Sequence, residues 1–279
     1  MLSTALSDQR GDRWATLAAR TLSGAASLRV TAIYTAMLLA VSLTLTAMGP
    51  HARAVAVSRM STNLHNLAHG HVGTLVGSAF VNESDDIFVW LPGLAALLAL
   101  GETIWRGKGL ILTFAVGHIG ATLIVAVGLV AAVRTGSLPF SVARASDVGM
   151  SYGAVCVLGA LTASIPARWR PVWVGWWFGV ALPATLGWDF TAIGHMLALL
   201  LGIGLSFRLS AMTRWTPLHV SLLVVGVAFG FLVLSGQTAE APVWGLAGAL
   251  AAHLVGRIAR PGKATDAEGH SVEEPVCVA

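Results

Sequence analysis

Gly149-Met150-Ser151-Tyr152-Gly153 begins one apolar segment of this chain, and Gly194-His195-Met196-Leu197-Ala198 lies near the start of another. A hydroxyl and an imidazole are therefore placed inside stretches that otherwise suit lipid. Polar side chains in such positions are costly, and they are retained where they have a partner or a function. A functional pairing of Ser151 with His195 requires that both segments cross a membrane and that both residues lie near the same side of it.

The composition excludes an ordinary soluble domain. Hydrophobic residues make up 56% of the 279 residues and charged residues only 11%, whereas soluble domains carry about 25% charged residues. The mean hydropathy is +0.76. The net charge is +4, but no basic patch is interleaved with aromatic residues, so we expect no nucleic-acid partner.

Eight apolar stretches are separated by the charged residues. Most approach the ~20 residues that an α-helix needs to cross a bilayer. Helices are predicted because backbone groups in lipid must bond internally, and no stretch shows the two-residue alternation of a membrane barrel. The fold class is thus an all-α polytopic membrane protein. The stretches are 29–48, 86–103, 109–133, 149–165, 171–187, 190–207, 217–235 and 242–257.

Lysine and arginine predict the orientation. If the amino terminus is inside, only four of the 17 basic residues fall on the outer side, and an inner excess is the usual bias. Both termini are then cytoplasmic, and the segments that carry Ser151 and His195 both run from outside to inside. The four outer residues are Arg53, Arg59, Arg134 and Arg144.

The regions outside the spans are predicted as follows. Residues 1–28 form a cytoplasmic segment, and the polar tail 259–279 is expected to be disordered. The outer loop 49–85 is long enough to suggest a function, and its apolar residues predict short helices in the membrane interface. Its three histidines are spaced like zinc ligands, but no cysteine or carboxylate cluster joins them, so we expect no metal and no cofactor. They are His65, His69 and His71.

Ser151 and His195 are predicted to lie at similar depth, within one or two helical turns of each other. A serine becomes a nucleophile when a base within hydrogen-bond reach accepts its proton, and a neutral imidazole suits that role. We therefore expect a Ser151–His195 dyad. Asp189 precedes His195 by six residues and lies off that helical face, so it is not expected to orient the base.

Small residues predict that the two helices touch. Ala198 and Gly202 share the face of His195, and Gly149 and Gly153 reduce bulk beside Ser151. Such spacing lets membrane helices approach closely.

An anion formed by attack on a carbonyl needs hydrogen-bond donors. The first backbone N–H groups of the Ser151 helix lack intrahelical acceptors. Asn82, at the end of the outer loop, is a second, side-chain candidate.

This arrangement resembles the rhomboid family of intramembrane serine proteases. Gly149-Met150-Ser151 is similar to its serine motif, and His195 with Ala198 and Gly202 is similar to its histidine motif. The outer loop stretch 70–80, and Gly101-Glu102 with Gly107, resemble further family features. The resemblance implies a six-helix core over 29–207, with two additional helices over 208–258, and cleavage of transmembrane segments of other proteins. It fits best a bacterial inner-membrane protein with a cytoplasmic amino terminus.

Departures from the family leave alternatives open. Tyr152 follows the serine where the family usually has glycine, Val72-Gly73 replaces a Trp-Arg pair, and Val89 and Gly93 align with the residues thought to bind the anion. An inactive rhomboid-like protein that binds membrane helices is therefore an alternative. A transporter that relays protons through His118 and His195 ranks third. Glu102 is expected at the inner edge of the membrane, where its charge reaches water.

Overall fold

The structure is a computed structural model, and it describes residues 28–82, 86–187 and 189–258. These residues form helices joined by short connections, with no strand among them. The predicted segments 1–28 and 259–279 lie outside the described residues, apart from Leu28. The helices are α1 (Arg29–Met48), α2 (Pro50–Met60), α3 (Leu64–Ala68), α4 (Thr74–Gly77), α5 (Ile87–Ala115), α6 (Ala121–Arg134), α7 (Ser151–Ala160), α8 (Arg170–Leu186), α9 (Phe190–Ser206), α10 (Pro217–Leu234) and α11 (Ala241–Ile258).

Helix is found at each of the eight predicted segments. Four helical stretches are long and apolar enough to cross a membrane, and the apolar α7 and α9 are shorter. The prediction of an all-α polytopic membrane protein is therefore confirmed. The division into a core over 29–207 and an addition over 208–258 stays a prediction. The four long stretches are Arg29–Met48, Ile87–Arg134, Pro217–Leu234 and Ala241–Ile258.

The stretch Ile87–Arg134 contains two predicted spans and reverses direction between them. Its 48 residues would extend about 70 Å as one straight helix, more than twice the ~30 Å hydrocarbon core. Arg106 interrupts α5 with φ 61° and ψ 174°. After this break Leu110 returns to Gly101, where an added Cβ would lie 3.3 Å from Leu110 Cδ1. The chain thus makes a helical hairpin at Arg106.

Glu102 lies in this hairpin, and the expectation that its charge reaches water is wrong. Its side chain is only 3% exposed. One carboxylate oxygen accepts from Val30 N–H at 3.0 Å and the other from Thr31 N–H at 2.8 Å. Those amides begin α1, where no intrahelical acceptor exists. Glu102 therefore caps α1, and the negative charge is favourable at that helix terminus.

Helix α7 is the centre of the bundle. Every residue from Tyr152 to Ala160 is buried. The helix packs mainly against α9 and α5, and α10 adds a contact where Gly230 faces Leu158. The first residue of α7, Ser151, thus belongs to a helix that is enclosed by protein on all sides.

The outer loop 49–85 contains short helices in its described part, as predicted: α2, α3, α4 and a 3₁₀ turn, Ser78–Phe80. Asn63 caps α3 by accepting from Asn66 N–H at 2.9 Å. The Tyr34 hydroxyl of α1 donates to Ala79 O at 2.7 Å, which ties the 3₁₀ turn to the bundle.

The last two helices pack mainly on different partners. Helix α10 packs on α5, where a Cβ at Gly93 would meet Phe229 Cβ at 2.5 Å. Helix α11 packs on α8 through glycines, with Gly179 lying against the backbone carbonyl of Trp244.

Candidate active site

Ser151 is the first residue of α7 and is half-buried. The chain enters the helix through Gly149, whose φ of 118° is a conformation that favours glycine. The first intrahelical bond runs from Ala154 N–H to Met150 O at 3.0 Å. The amides that precede Ala154 in α7 lie at the positive end of the helix dipole, beside the Ser151 side chain.

The segment before Ser151 is anchored to the outer loop at Asp147. The Asp147 N–H donates to Ser61 Oγ at 2.8 Å, and Asp147 O accepts from Thr62 N–H at 3.0 Å. The Thr62 hydroxyl lies 3.0 Å from that carbonyl and 3.2 Å from a carboxylate oxygen of Asp147. These bonds join residues about 85 positions apart in sequence, so they hold the serine segment through tertiary structure.

A second anchor involves Ser78 of the 3₁₀ turn. Gly149 N–H donates to Ser78 O at 2.9 Å. The Ser78 hydroxyl lies 3.1 Å from Nε2 of His118, and both side chains are buried. Ser78 therefore links the outer loop to the π-helical turn Val116–Gly120 and to the entry of α7.

His195 lies in the second turn of α9 and is half-buried. Its Nε2 atom is buried, and no described residue makes a hydrogen bond with it. Asp189 is the N-cap of α9 and accepts from Thr191 N–H at 3.1 Å. The imidazole thus has an unused nitrogen inside the bundle, while the nearest acid in sequence is engaged at the helix end.

The residue of α7 that contacts His195 is Tyr152. The two rings meet edge to face, with centroids 5.2 Å apart and an interplanar angle of 81°. The tyrosine ring also lies across Gly194, where any Cβ would overlap its hydroxyl end. Ser151 and His195, both described, make no hydrogen bond with each other. Because the helices adjoin at this point, the predicted dyad is neither excluded nor formed in this conformation, and it stays a prediction.

The Tyr152 hydroxyl is itself buried. The Asp147 carboxylate and the Thr191 hydroxyl lie near it, but among the described residues none is in hydrogen-bond geometry with it. An unpaired hydroxyl and an unpaired imidazole nitrogen therefore lie on adjoining rings, where burial makes each costly.

Small residues do bring α7 and α9 together, but only some of those predicted do so. Gly202 lies against the carbonyl of Cys156, and a Cβ at Gly159 would lie 2.5 Å from Leu199 O. Gly153 instead faces Phe114 of α5, where a Cβ would come within 2.6 Å of the ring. Gly149 has open space around it. Gly149 is therefore needed for the turn before α7 and not for the contact between α7 and α9.

Asn82, the predicted anion donor, is half-buried and lies just after the 3₁₀ turn Ser78–Phe80. The segment that follows it begins α5 at Ile87. Its role toward an anion stays a prediction.

Sequence reasoning missed Tyr152 as a contact of His195 and missed Asp147 and Ser78 as anchors. For Tyr152, the glycine beside His195 shows only that a neighbouring ring would have room, and it does not show which ring that is. Asp147 and Ser78 had no signal in the sequence, because the pairing of distant segments is set by the fold. His118, named above as a relay of the transporter alternative, makes a hydrogen bond with Ser78 of the outer loop.

The fold and this site define a polytopic all-α membrane protein that carries a serine and a histidine on adjoining helices. A family model described as "rhomboid-like protein" matches residues 26–215, which is more than half of the chain. The chain therefore belongs to the rhomboid-like family, and the resemblance inferred from the sequence is confirmed. No curated protein and no solved structure matches it.

Proposed function

We propose that this protein is an intramembrane serine peptidase that cleaves transmembrane segments of other membrane proteins. The observation that carries the proposal is the contact between α7 and α9, which brings the Ser151 end of one helix beside the His195 turn of the other. Family membership supports the same reading. Ser151 is the nucleophile and His195 the general base.

The reaction follows from these two side chains. His195 accepts the hydroxyl proton while Ser151 Oγ attacks the peptide carbonyl carbon and forms a tetrahedral oxyanion. The carbonyl re-forms as the C–N bond breaks, and the imidazolium gives its proton to the leaving amine. A water then attacks the acyl ester with His195 again as base, which releases the new carboxyl end and restores Ser151.

The oxyanion needs donors beside Ser151. The first-turn amides of α7 are suited to this role because the helix provides no acceptor for them. Asn82 is the proposed side-chain donor. Loss of one such donor costs about 10²–10³ in rate in other hydrolases, so Asn82→Ala is expected to lower the rate without abolishing it.

His195 has to reach Ser151 for the reaction to proceed. Its buried Nε2 has no partner among the described residues, so no existing hydrogen bond has to break. Tyr152 packs against the ring and limits its positions. Catalytic hydrogen bonds are often long in the free enzyme and shorten when substrate binds.

Covalent labelling tests the proposal. The full chain in detergent is treated with a fluorophosphonate probe, which reacts with an activated serine. Labelling is expected for the wild type and is lost in Ser151→Ala and in His195→Ala. The matched controls are Ser206→Ala on the same helix as His195 and His253→Ala on α11, which keep the label.

A second candidate is a protein that binds membrane helices without cutting them. The absence of a Ser151–His195 hydrogen bond between these described residues, together with the Tyr152 contact, favours it. It predicts no probe labelling of well-folded wild-type protein, together with crosslinking to a transmembrane peptide that remains intact. Labelling that depends on both Ser151 and His195 excludes it.

We also propose that both termini face the cytoplasm of a bacterial inner membrane. The support is the excess of arginine and lysine in the predicted inner loops. Fusion of a reporter that fluoresces only inside the cell, at the carboxyl terminus, tests this orientation. A reporter active only outside the cytoplasm serves as the opposite control.

A further inference from the structure

A groove of about 770 Å³ lies between α6, α3 and the 3₁₀ turn Phe140–Arg144. Its floor is apolar and open, with Val127 71% and Phe140 75% exposed. It is separate from Ser151 and His195, neither of which lines it.

The groove is also lined by basic groups, one of which, Arg134, is the last residue of α6. Four of the lining side chains have nitrogen-containing heads, and no acidic side chain joins them among the described residues. Neither arginine makes a hydrogen bond or an ion pair with any residue in the described ranges. The four are His65, His69, Arg134 and Arg144.

The positive charge around the groove also affects the pKa of His65. The pKa of this exposed imidazole is lowered, first by partial loss of hydration and then by repulsion from His69, Arg144 and His71. A group that resists gaining a proton because of neighbouring positive charge, including that of Arg144, indicates a place where an anion would be favourable.

The length of the groove matches one leaflet of a bilayer. From Leu123 to Arg134, both lining residues, α6 rises about 16 Å at ~1.5 Å per residue. One leaflet contributes about half of the ~30 Å hydrocarbon core. An apolar floor of this length matches an acyl chain, and Arg134 lies at the end of it where a headgroup would be.

We propose that this groove binds one anionic phospholipid, with its phosphate between Arg134 and Arg144 and an acyl chain along Val127 and Val130. The charge complementarity and the leaflet-length floor single out this occupant. A zwitterionic lipid has the same chains but no net charge for the arginines. The site stands independently of the proposed peptidase activity.

Competition between two lipids provides the test. The full chain in mild detergent is incubated with equal amounts of phosphatidylglycerol and phosphatidylcholine carrying identical chains, and retained lipid is counted by native mass spectrometry. An arginine near a membrane surface favours an anionic lipid by roughly fivefold, so two give a preference of about thirtyfold. Arg134→Gln with Arg144→Gln is expected to bring the ratio close to one.

Three further variants separate the effect of the charge from the effect of the groove's apolar floor. Arg59→Gln removes an exposed basic residue of the loop 49–85 that does not line the groove, and it is expected to keep the preference. Val127→Trp fills the floor and is expected to reduce retention of both lipids, whereas Ile124→Trp, on the same helix but outside the groove, is expected to leave it unchanged.

Three results would overturn the proposal: equal retention of the two lipids by the wild type, an unchanged preference in the double arginine variant, or loss of the preference in Arg59→Gln. Because both arginines are exposed, the double variant is expected to fold. If it does not, Arg134→Gln and Arg144→Gln are measured singly, each with a roughly fivefold loss expected.

Discussion

Two pairs of helices in this protein make glycine contacts of the same kind, and they differ in what lies beside those contacts. In the α7–α9 pair, Gly202 and Gly159 lie against backbone atoms of the opposite helix. In the α8–α11 pair, Gly179 and Gly248 do the same. Close packing is thus common to both pairs and does not by itself mark a site.

The difference is at the end of the α7–α9 contact. There the chain places Ser151, Tyr152 and His195, and the buried atoms without hydrogen-bond partners are a hydroxyl and an imidazole nitrogen, whereas those of α8 are the indole nitrogens of Trp173 and Trp177. The corresponding glycine of α11, Gly245, faces the aliphatic Val180 and the ring of Trp176. The α8–α11 contact therefore joins apolar surfaces, whereas the α7–α9 contact also holds a hydroxyl and an imidazole near each other.

Tyr152→Ala is the change expected to have the largest effect on this comparison. Deleting a buried aromatic ring from a packed core costs about 3–5 kcal/mol, and here it also frees the His195 imidazole. Trp177→Ala on α8 removes another fully buried ring and is expected to cost a similar amount. Chemical denaturation in detergent, followed by circular dichroism, measures both.

Probe labelling then separates the two variants. Labelling per folded molecule is expected to change in Tyr152→Ala and to stay at the wild-type level in Trp177→Ala. Equal labelling of both variants would show that Tyr152 does not act on His195. Tyr152→Phe, which keeps the ring and removes the unpaired hydroxyl, is expected to leave the stability unchanged or slightly raised.

Gly202→Val is expected to have the next largest effect. The introduced valine side chain would meet the Cys156 backbone, which moves less readily than a side chain. The overpacking is expected to cost about 1–3 kcal/mol. Gly179→Val is expected to cost the same at α8–α11, while only Gly202→Val alters labelling of the folded fraction. Gly204→Val is the control in α9, because open space surrounds Gly204.

Ser78→Ala tests whether the outer loop holds the α7–α9 end in place. The change leaves both ring nitrogens of the buried His118 without a partner among the described residues, since Nδ1 already lacks one. A cost of about 1–3 kcal/mol is expected, with reduced labelling because Gly149 bonds the same residue. Ser221→Ala, at an exposed position of α10, is expected to change neither the stability nor the labelling. An effect as large as that of Ser78→Ala would contradict the proposal that Ser78 anchors the loop.

The smallest effect is expected from His65→Gln. Because the pKa of His65 is lowered in the folded protein, the unfolded chain binds the proton more readily, and stability falls as the pH drops below about 6.5. Melting temperatures between pH 7.5 and 5.5 are expected to fall less steeply in the variant. Added phosphatidylglycerol is expected to oppose the loss in the wild type, because an anion favours the protonated ring.

His253→Gln of α11 provides the comparison from the other helix pair. If His253→Gln changed the pH dependence of the melting temperature more than His65→Gln does, the pH effect could not be assigned to the groove that His65 lines.

Much of the site could be predicted because periodicity and charge act locally along the chain. The positions of Ser151 at a helix start and of His195 about one turn into another helix follow from where the apolar segments begin. The contact of Tyr152 with His195 could not be predicted, because it depends on the rotation of two helices about their axes. The burial of Glu102 was predicted wrongly for the same reason: its partners are the first amides of α1, about 70 residues away in sequence.

The sequence by itself determined that the chain is helical and membrane-embedded, because an apolar segment of that length has one way to satisfy its backbone in lipid. It also determined the family, since the motifs and their order are carried by the residues. The tertiary structure alone decided which glycines join helices, which loop residues hold Ser151 and which ring meets His195. Those choices depend on contacts between segments far apart in the chain, and local sequence patterns carry no record of them.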